Sequence, residues 1–368
     1  FIAKHVDSLG VPFKRYAIGA VFRGERPAKG RYREFTQCDF DTVGTESPVS
    51  DAETIQVISA SLTLLGVPGF KISVNNRKIL DGFFHHLDVA QHSGPILRAL
   101  DKLHKIGRDK VLAEISERIG HESARPSAED QAGKILEFVA QGRGGIDVLD
   151  RVERELPDQP LVKEGIANLR AIFALLEAGG VRSETVRVDL GLARGLDYYT
   201  GVVFETHVDG YEGFGSVCSG GRYDDLASLF TKRRLPGVGA SIGLDRLIAV
   251  MEEAGWLLGR STTVPILVVN FPGASATVAM RLARRLRAAG IGAEVFPDPI
   301  SLGKQLGYAS GRGHTHAVIV GPDEEAANVF NLRDLASRRE EKGIPWSELE
   351  TRVRLALAPG FADPAPGA

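Results

Sequence analysis

Apolar and polar residues alternate with a period of two along Tyr16 to Phe22 and again along Glu34 to Val43. That rhythm predicts two strands joined by the basic loop Arg26-Pro-Ala-Lys-Gly-Arg-Tyr-Arg33. Successive side chains of a strand point to opposite faces, so Gln37, Asp39 and Asp41 share one face and Cys38, Phe40 and Thr42 the other. The first face is polar enough to line a ligand site. Ser50-Asp-Ala-Glu53 reads as a capping box opening a helix, with Ile55, Ile58, Leu62 and Leu65 at helical spacing until Gly66. A strand follows over Phe70 to Val74, and from about 75 to 180 the pattern is mostly helical, with breaks at Gly142-Arg-Gly-Gly145 and Pro157 to Pro160. This stretch reads as an inserted helical region. Its clearest helix is Leu161 to Leu176, with Ile166, Leu169, Phe173 and Leu176 on one side and Gly179-Gly180 as the stop.

Strand patterns return at Val186 to Leu190, Val202 to His207 and Val217 to Ser219, ahead of a helix near Leu244 to Glu253. These are expected to join the first two strands in one mainly antiparallel sheet. After a polar linker at 258 to 264, five segments alternate strand, helix, strand, helix, strand: Pro265 to Asn270, Ala274 to Ala289, Ala293 to Phe296, Leu302 to Gly311 and Ala317 to Val320. The expected organisation is an α+β domain at 1–257 with a helical insertion at about 75–180, a small α/β domain at 265–357, and a disordered tail at 358–368.

At 368 residues the chain has ample length for two cores. A formal net charge of −2 excludes a wholly basic nucleic-acid coat protein, so any RNA contact must use local basic patches. Cys38 and Cys218 lie far apart and form no Cys-x-x-Cys pair. A reducing, cytoplasmic compartment is expected, without a disulfide framework or a cysteine zinc site. No apolar run reaches membrane-spanning length and no secretory signal is visible. The Gly213 to Gly221 cluster lacks the spacing of a dinucleotide fingerprint. His85, His86, His314 and His316 lack partners at metal-ligand spacing, so surface or loop roles are expected and no metal site.

Arg23 and the loop that follows it resemble motif 2 of a class II aminoacyl-tRNA synthetase. Gly191-Leu-Ala-Arg-Gly-Leu-Asp-Tyr-Tyr199 resembles the signature peculiar to histidyl-tRNA synthetases, and Gly237-Val-Gly-Ala-Ser-Ile-Gly-Leu-Asp-Arg246 resembles motif 3. Three motifs in order are far more specific than any one, and the likeness extends to a C-terminal segment similar to that family's anticodon-binding domain. Phe1 is not an initiator methionine, and the dimer-forming motif 1 expected upstream is absent. A fragment is therefore expected, lacking also the upstream Thr- and Glu-containing segment that helps hold the substrate amino group, with a homodimer as the full-length state.

The resemblance implies that histidine and ATP, with Mg²⁺, form histidyl-adenylate and pyrophosphate, after which the histidyl group moves to histidine tRNA. Fixed planar cations suit the charge that grows in such a transfer. Arg194 is implied as the main catalytic cation at the α-phosphate, and Arg23 as the clamp on α-phosphate and substrate carboxylate; both face the histidine. Glu25 joins Arg23 in the ATP site and Arg246 meets the γ-phosphate. A neutral imidazole needs one acceptor and one donor: Asp41 and Tyr199 match these roles, Gln37 faces the amino-acid backbone, and Tyr223 closes the pocket. Tyr198 either accompanies Tyr199 or is aromatic core. Lys29 and Arg31 would meet the acceptor end of the tRNA, and Lys304 and Gln305 its other end, beside Tyr308 and Arg312. Arg281, Arg284, Arg285 and Arg287 form a helix face for solvent or RNA. The rivals are a catalytically silent, synthetase-like sensor of histidine or tRNA, which the retained arginines disfavour, and a threonyl or prolyl enzyme, which Asp41 and the Arg194 to Tyr199 segment disfavour.

Overall fold

A computed structural model describes residues 1–24, 26–120, 127–193, 198–257, 262–271, 273–274 and 276–357. The chain divides into two compact units, Phe1–Trp256 and Leu257–Ala368. In the first, eight strands form one sheet: β1 (Phe13–Phe22), β2 (Glu34–Val43), β3 (Phe70–Asn76), β4 (Arg143–Gly144), β5 (Val186–Asp189), β6 (Val202–Val208), β7 (Cys218–Arg222) and β8 (Gly237–Gly243). Their order is β1-β2-β8-β7-β6-β3-β5-β4. Every pairing is antiparallel except β3 with β5.

One sheet face is the core. Ile55, Ile58 and Leu62 of helix Pro48–Leu64 and Ile166, Leu169 and Ile172 of helix Pro160–Ala178 bury together with Ile72, Val74, Phe204 and Val238 of the strands. Cys38 and Phe40 pack against this cluster, so the alternation along β2 sends Gln37, Asp39 and Asp41 to the opposite, uncovered face. That single fact places the chemistry.

The first long helix begins earlier than a capping box at Ser50 would have it. Ser47 is the N-cap, its hydroxyl accepting from the Val49 N–H at 3.3 Å, and Pro48 occupies the first helical turn, where its fixed φ and missing N–H cost nothing. Glu53 pairs instead with Lys14 of β1. The described residues between 77 and 178 are mostly helical, but the glycine-rich break contains β4, which pairs Arg143 with Asp189 and Gly144 with Val188. Its first and last helices, Arg77–His86 and Pro160–Ala178, pack on the sheet's own core; a Cβ at Gly165 would lie 2.8 Å from Ile79.

The second unit holds β9 (Ile266–Val268), β10 (Ala293–Val295), β11 (His316–Ile319), β12 (Val329–Asp334) and β13 (Glu340–Pro345), ordered β10-β9-β11-β12-β13. The pairings of β9 with β10 and with β11 are parallel, as the β-α-β rhythm requires, and β11-β12-β13 continue antiparallel. Val278, Leu282 and Leu286 of helix Ala276–Ala288 close the core over Val268, Val318 and Phe330. The last two strands and helix Leu349–Leu357 escape the sequence pattern because β13, Glu-Glu-Lys-Gly-Ile-Pro, is polar and mostly exposed.

A buried ion pair ties the first unit together. Arg222 of β7 grips Asp51 of helix Pro48–Leu64 with Nε at 3.0 Å and Nη2 at 2.7 Å, and the two side chains are 7% and 0% exposed. Nη1 also donates to the Thr45 carbonyl at 2.9 Å and meets Asp224 at 3.2 Å. Removing one partner leaves a buried charge alone, so Asp51→Ala or Arg222→Ala is expected to cost about 3–5 kcal/mol in urea unfolding. The double replacement Asp51→Leu/Arg222→Met should recover most of that. Single variants that unfold like the parent would show the pair to be dispensable.

Candidate active site

The uncovered face of β2 meets β8 in register: Asp41 opposes Gly239, Asp39 opposes Ser241 and Gln37 opposes Gly243. Asp41 is held from two sides. One carboxylate oxygen accepts from the Tyr223 hydroxyl, and the other lies 2.6 Å from Arg15 Nη2 on β1. Its position directly opposite Arg15 follows from the β1–β2 register. The phenols of Tyr223 and Tyr199 are pushed well above their ordinary range, first by burial; next come the Asp41 charge for Tyr223 and the hydrogen bond with Tyr198 for Tyr199. Both therefore remain protonated donors at neutral pH. Tyr198 stacks obliquely on Tyr199 with ring centroids 4.3 Å apart, and its ring is half exposed rather than core.

Bare backbone makes room for these side chains. A Cβ on Gly239 would fall 2.0 Å from an Asp41 carboxylate oxygen, one on Gly237 2.5 Å from the Tyr223 ring, and one on Gly221 3.0 Å from the Tyr199 ring. The resulting cavity, about 920 Å³, is lined by Asp39, Asp41, Tyr198, Tyr199, Tyr223 and Ser241 among others.

A second, smaller hollow adjoins it, walled by Arg23, Arg31, Gln37, Asp245 and Arg246. Ser219 and Ser241, paired across β7 and β8, line both. Gln37 donates its amide N–H to Ser241 Oγ. Arg23 lies over the Phe35 ring at 4.7 Å. The loop after it folds back through a tight turn in which Ala28 and Arg31 exchange backbone hydrogen bonds of 3.0 and 2.9 Å around Lys29-Gly30. Gly30 takes φ 67° there, and Arg246 donates to its carbonyl at 2.8 Å and to that of Ser216 at 2.6 Å. Arg246 thus stands in the wall of the hollow while clamping the loop. Lys29 reaches Glu253 at 2.9 Å and lies 4.7 Å over Phe214; that exposed pair is weak and easily opened. Arg194 and Glu25 lie outside the described residues.

One expectation for the C-terminal unit is corrected and another, that His314 is a surface or loop residue, is narrowed to a buried loop position. Gln305 is fully buried: its oxygen accepts from the Asn270 N–H at 3.0 Å and its amide donates to the carbonyls of Asn270 and Ile300, each at 2.7 Å. An amide so satisfied braces a loop and is not presented to RNA. Lys304, one residue before, is exposed. Likewise His314 is no surface histidine; its side chain is 0% exposed and Nε2 lies 3.2 Å from Glu294, which also accepts from Tyr308 at 2.7 Å. Of the basic helix face, Arg285 is bidentate to Glu350 at 2.8 and 2.7 Å, Arg287 donates to the Ala293 carbonyl, and Arg281 sits 5.9 Å over Trp346. Those three serve the fold.

Residues 2–247 match the family described as Histidyl-tRNA synthetase, and residues 264–355 match the one described as Anticodon binding domain. The chain belongs to the histidyl-tRNA synthetase family. It is 44% identical over 337 residues to Histidine--tRNA ligase of Wolinella succinogenes, covering 91% of this chain and 75% of that one. Against the same-named protein of Rhodopirellula baltica the identity is 45% over 347 residues, covering 94% and 77%. The crystal structure of histidyl-tRNA synthetase from Nostoc sp. superposes with a TM-score of 0.82 at 34% identity, covering 96% of this chain and 80% of that one. Family membership gives the fold its class: a class II catalytic domain followed by an anticodon-binding domain.

The steric reading of the glycines is testable. Gly239→Ala is expected to push Asp41 off its perch and weaken histidine binding roughly 10- to 100-fold, with ATP affinity less affected and the unfolding midpoint lowered, because the same Cβ would lie 2.9 Å from the Phe40 carbonyl. Calorimetry with each ligand separately decides it; unaltered histidine affinity would mean that Asp41 needs no such clearance.

Proposed function

We propose that this chain ligates L-histidine to histidine tRNA through a histidyl-adenylate. One observation carries the reading: Asp41, Tyr199 and Tyr223 place polar groups in the wall of one cavity, Arg23 and Arg246 wall the hollow beside it, and Ser219 and Ser241 belong to both. An amino acid on one side and ATP on the other would bring carboxylate and α-phosphate together at that seam, and such positioning supplies much of the catalysis. The match to ligases over nine tenths of the chain supports the same activity, and the silent regulator is disfavoured.

Neutral imidazole presents one N–H and one bare nitrogen. Asp41, fixed by Arg15 and Tyr223, accepts from the first; the un-ionised Tyr199 hydroxyl donates to the second. Arg23 draws the substrate carboxylate and α-phosphate together, Glu25 joins it in the ATP site, and Arg246 meets the γ-phosphate. Arg194 supplies the cation for the charge that develops as the carboxylate oxygen attacks phosphorus and pyrophosphate leaves. Mg²⁺ enters with ATP as part of that substrate. Lys29 and Arg31 reach the acceptor end of the tRNA, and Lys304 belongs to the unit that holds the anticodon end. The working state is a cytoplasmic homodimer. Among the described residues no helix is long and apolar enough to cross a membrane.

Two experiments follow, each run on a form carrying the upstream motif 1 segment expected for the family. Arg194→Ala should slow single-turnover adenylate formation by about 100- to 1,000-fold while histidine affinity changes little. An unchanged chemical rate would remove Arg194 from catalysis. Deleting residues 265–368 should leave histidine-dependent pyrophosphate exchange largely intact and sharply reduce tRNA charging, which should also be the more salt-sensitive activity. Undiminished charging by the truncated protein would refute an RNA role for the second unit.

A further inference from the structure

Asp39 has no role in the scheme above, yet it stands in the middle of the site. It lies between Gln37 and Asp41 on the polar face of β2, is half-buried, and lines the cavity that holds Asp41 and the tyrosines. The two acidic neighbours differ in one respect. Asp41 is already neutralised by Arg15 and bonded by Tyr223, whereas the Asp39 carboxylate has no hydrogen-bond or ion-pair partner among the described residues. A half-buried carboxylate left without a partner is readily matched by a cation that comes to it.

The pairings across the sheet locate that cation. Asp39 faces Ser241, and Ser241 faces Ser219, the two serines common to both hollows. Asp39 therefore abuts the seam where an amino acid's backbone end must lie. Successive same-face positions of a strand are about 7 Å apart, a span that one histidine bridges with its ring at Asp41 and its backbone at Asp39. At that end histidine carries a carboxylate, which Asp39 would repel, and an ammonium, which it would attract. Gln37 points the same way: its amide N–H is spent on Ser241 Oγ, which leaves the amide oxygen as an acceptor and suits a group with three donors.

We infer that Asp39 is a counter-charge for the substrate α-ammonium, acting alongside the upstream Thr- and Glu-containing segment expected for the family and assisted by the Gln37 amide oxygen that Ser241 orients. The inference rests on the histidine reading of this cavity. It makes the site select against ligands that lack a charged amine, a discrimination that neither Asp41 nor Tyr199 provides.

Asp39→Asn keeps size and shape while removing the charge. Calorimetry would compare L-histidine, L-histidinol, which keeps imidazole and ammonium but lacks the carboxylate, and imidazole-4-propionate, which keeps imidazole and carboxylate but lacks the ammonium. The variant should lose roughly 10- to 100-fold in affinity for histidine and histidinol, and bind imidazole-4-propionate as the parent does or better. Equal losses for all three ligands, or no loss for any, would overturn the assignment. Asp39→Glu should restore part of the histidine affinity, and an unfolding midpoint equal to the parent's separates a lost ligand contact from a damaged fold. Failure of the underlying reading is recognised differently: a parent protein that binds none of the three overturns both.

Discussion

The Arg222–Asp51 pair is the constraint from which the rest of the first unit hangs. It joins strand β7 to the helix under the sheet, and through the Thr45 carbonyl it also fixes the chain as it leaves β2. Asn168 of helix Pro160–Ala178 approaches the same carboxylate at 3.5 Å, so two helices, strand β7 and the segment after β2 meet around one buried ion pair. Burial pushes the Asp51 carboxyl up and the Arg222 charge pulls it back. Such a pair adds little net stability over an apolar substitute but is costly to break, and its geometry is transmitted outward. Asp224 beside it accepts from Thr200 at 2.8 Å, and Thr200 donates its N–H to the Arg222 carbonyl at 2.8 Å. Tyr199 and Tyr223, the immediate neighbours of Thr200 and Arg222, are thereby held on the opposite face, over Gly221 and Gly237.

Function then depends on what the strands lack. β7 and β8 carry glycine where a side chain would strike Asp41, Tyr199 or Tyr223. Glycine in a strand interior weakens it and marks a close approach; here the cost is offset by neighbours paired on both edges and by the buried core beneath. Within the glycine cluster that could pass for a nucleotide-binding loop, Gly220 and Gly221 give clearance in an antiparallel sheet and Gly215 takes a positive φ ahead of β7.

Much of this was legible in the sequence. Period-two alternation assigned Gln37, Asp39 and Asp41 to one face, and three ordered motifs pointed to the family. Pairings distant in sequence were not legible: Asp51 passed as an interior position of the Ser50 to Glu53 capping box because nothing local reveals an arginine 171 positions away, and Arg15 became visible only once β1 was seen to begin at Phe13 and pair through to Val43. Gln305 and His314 misled for a related reason. Polar residues read as surface by default, and only the fold shows that one braces the Asn270 loop and the other is shut in beside Glu294. The motif residue Arg194 lies outside the described residues, so its role stays with the resemblance.

If the polar face of β2 and the glycine-bare strands beside it form a histidine-activating site, histidine should be the amino acid that drives exchange of labelled pyrophosphate into ATP. The decisive measurement is that exchange rate for each amino acid in turn, on the form carrying motif 1. Strong exchange with histidine, and near-background rates with threonine and proline, is the expected pattern. A folded, ATP-binding protein that gave no histidine-dependent exchange, or exchanged equally with threonine or proline, would contradict it.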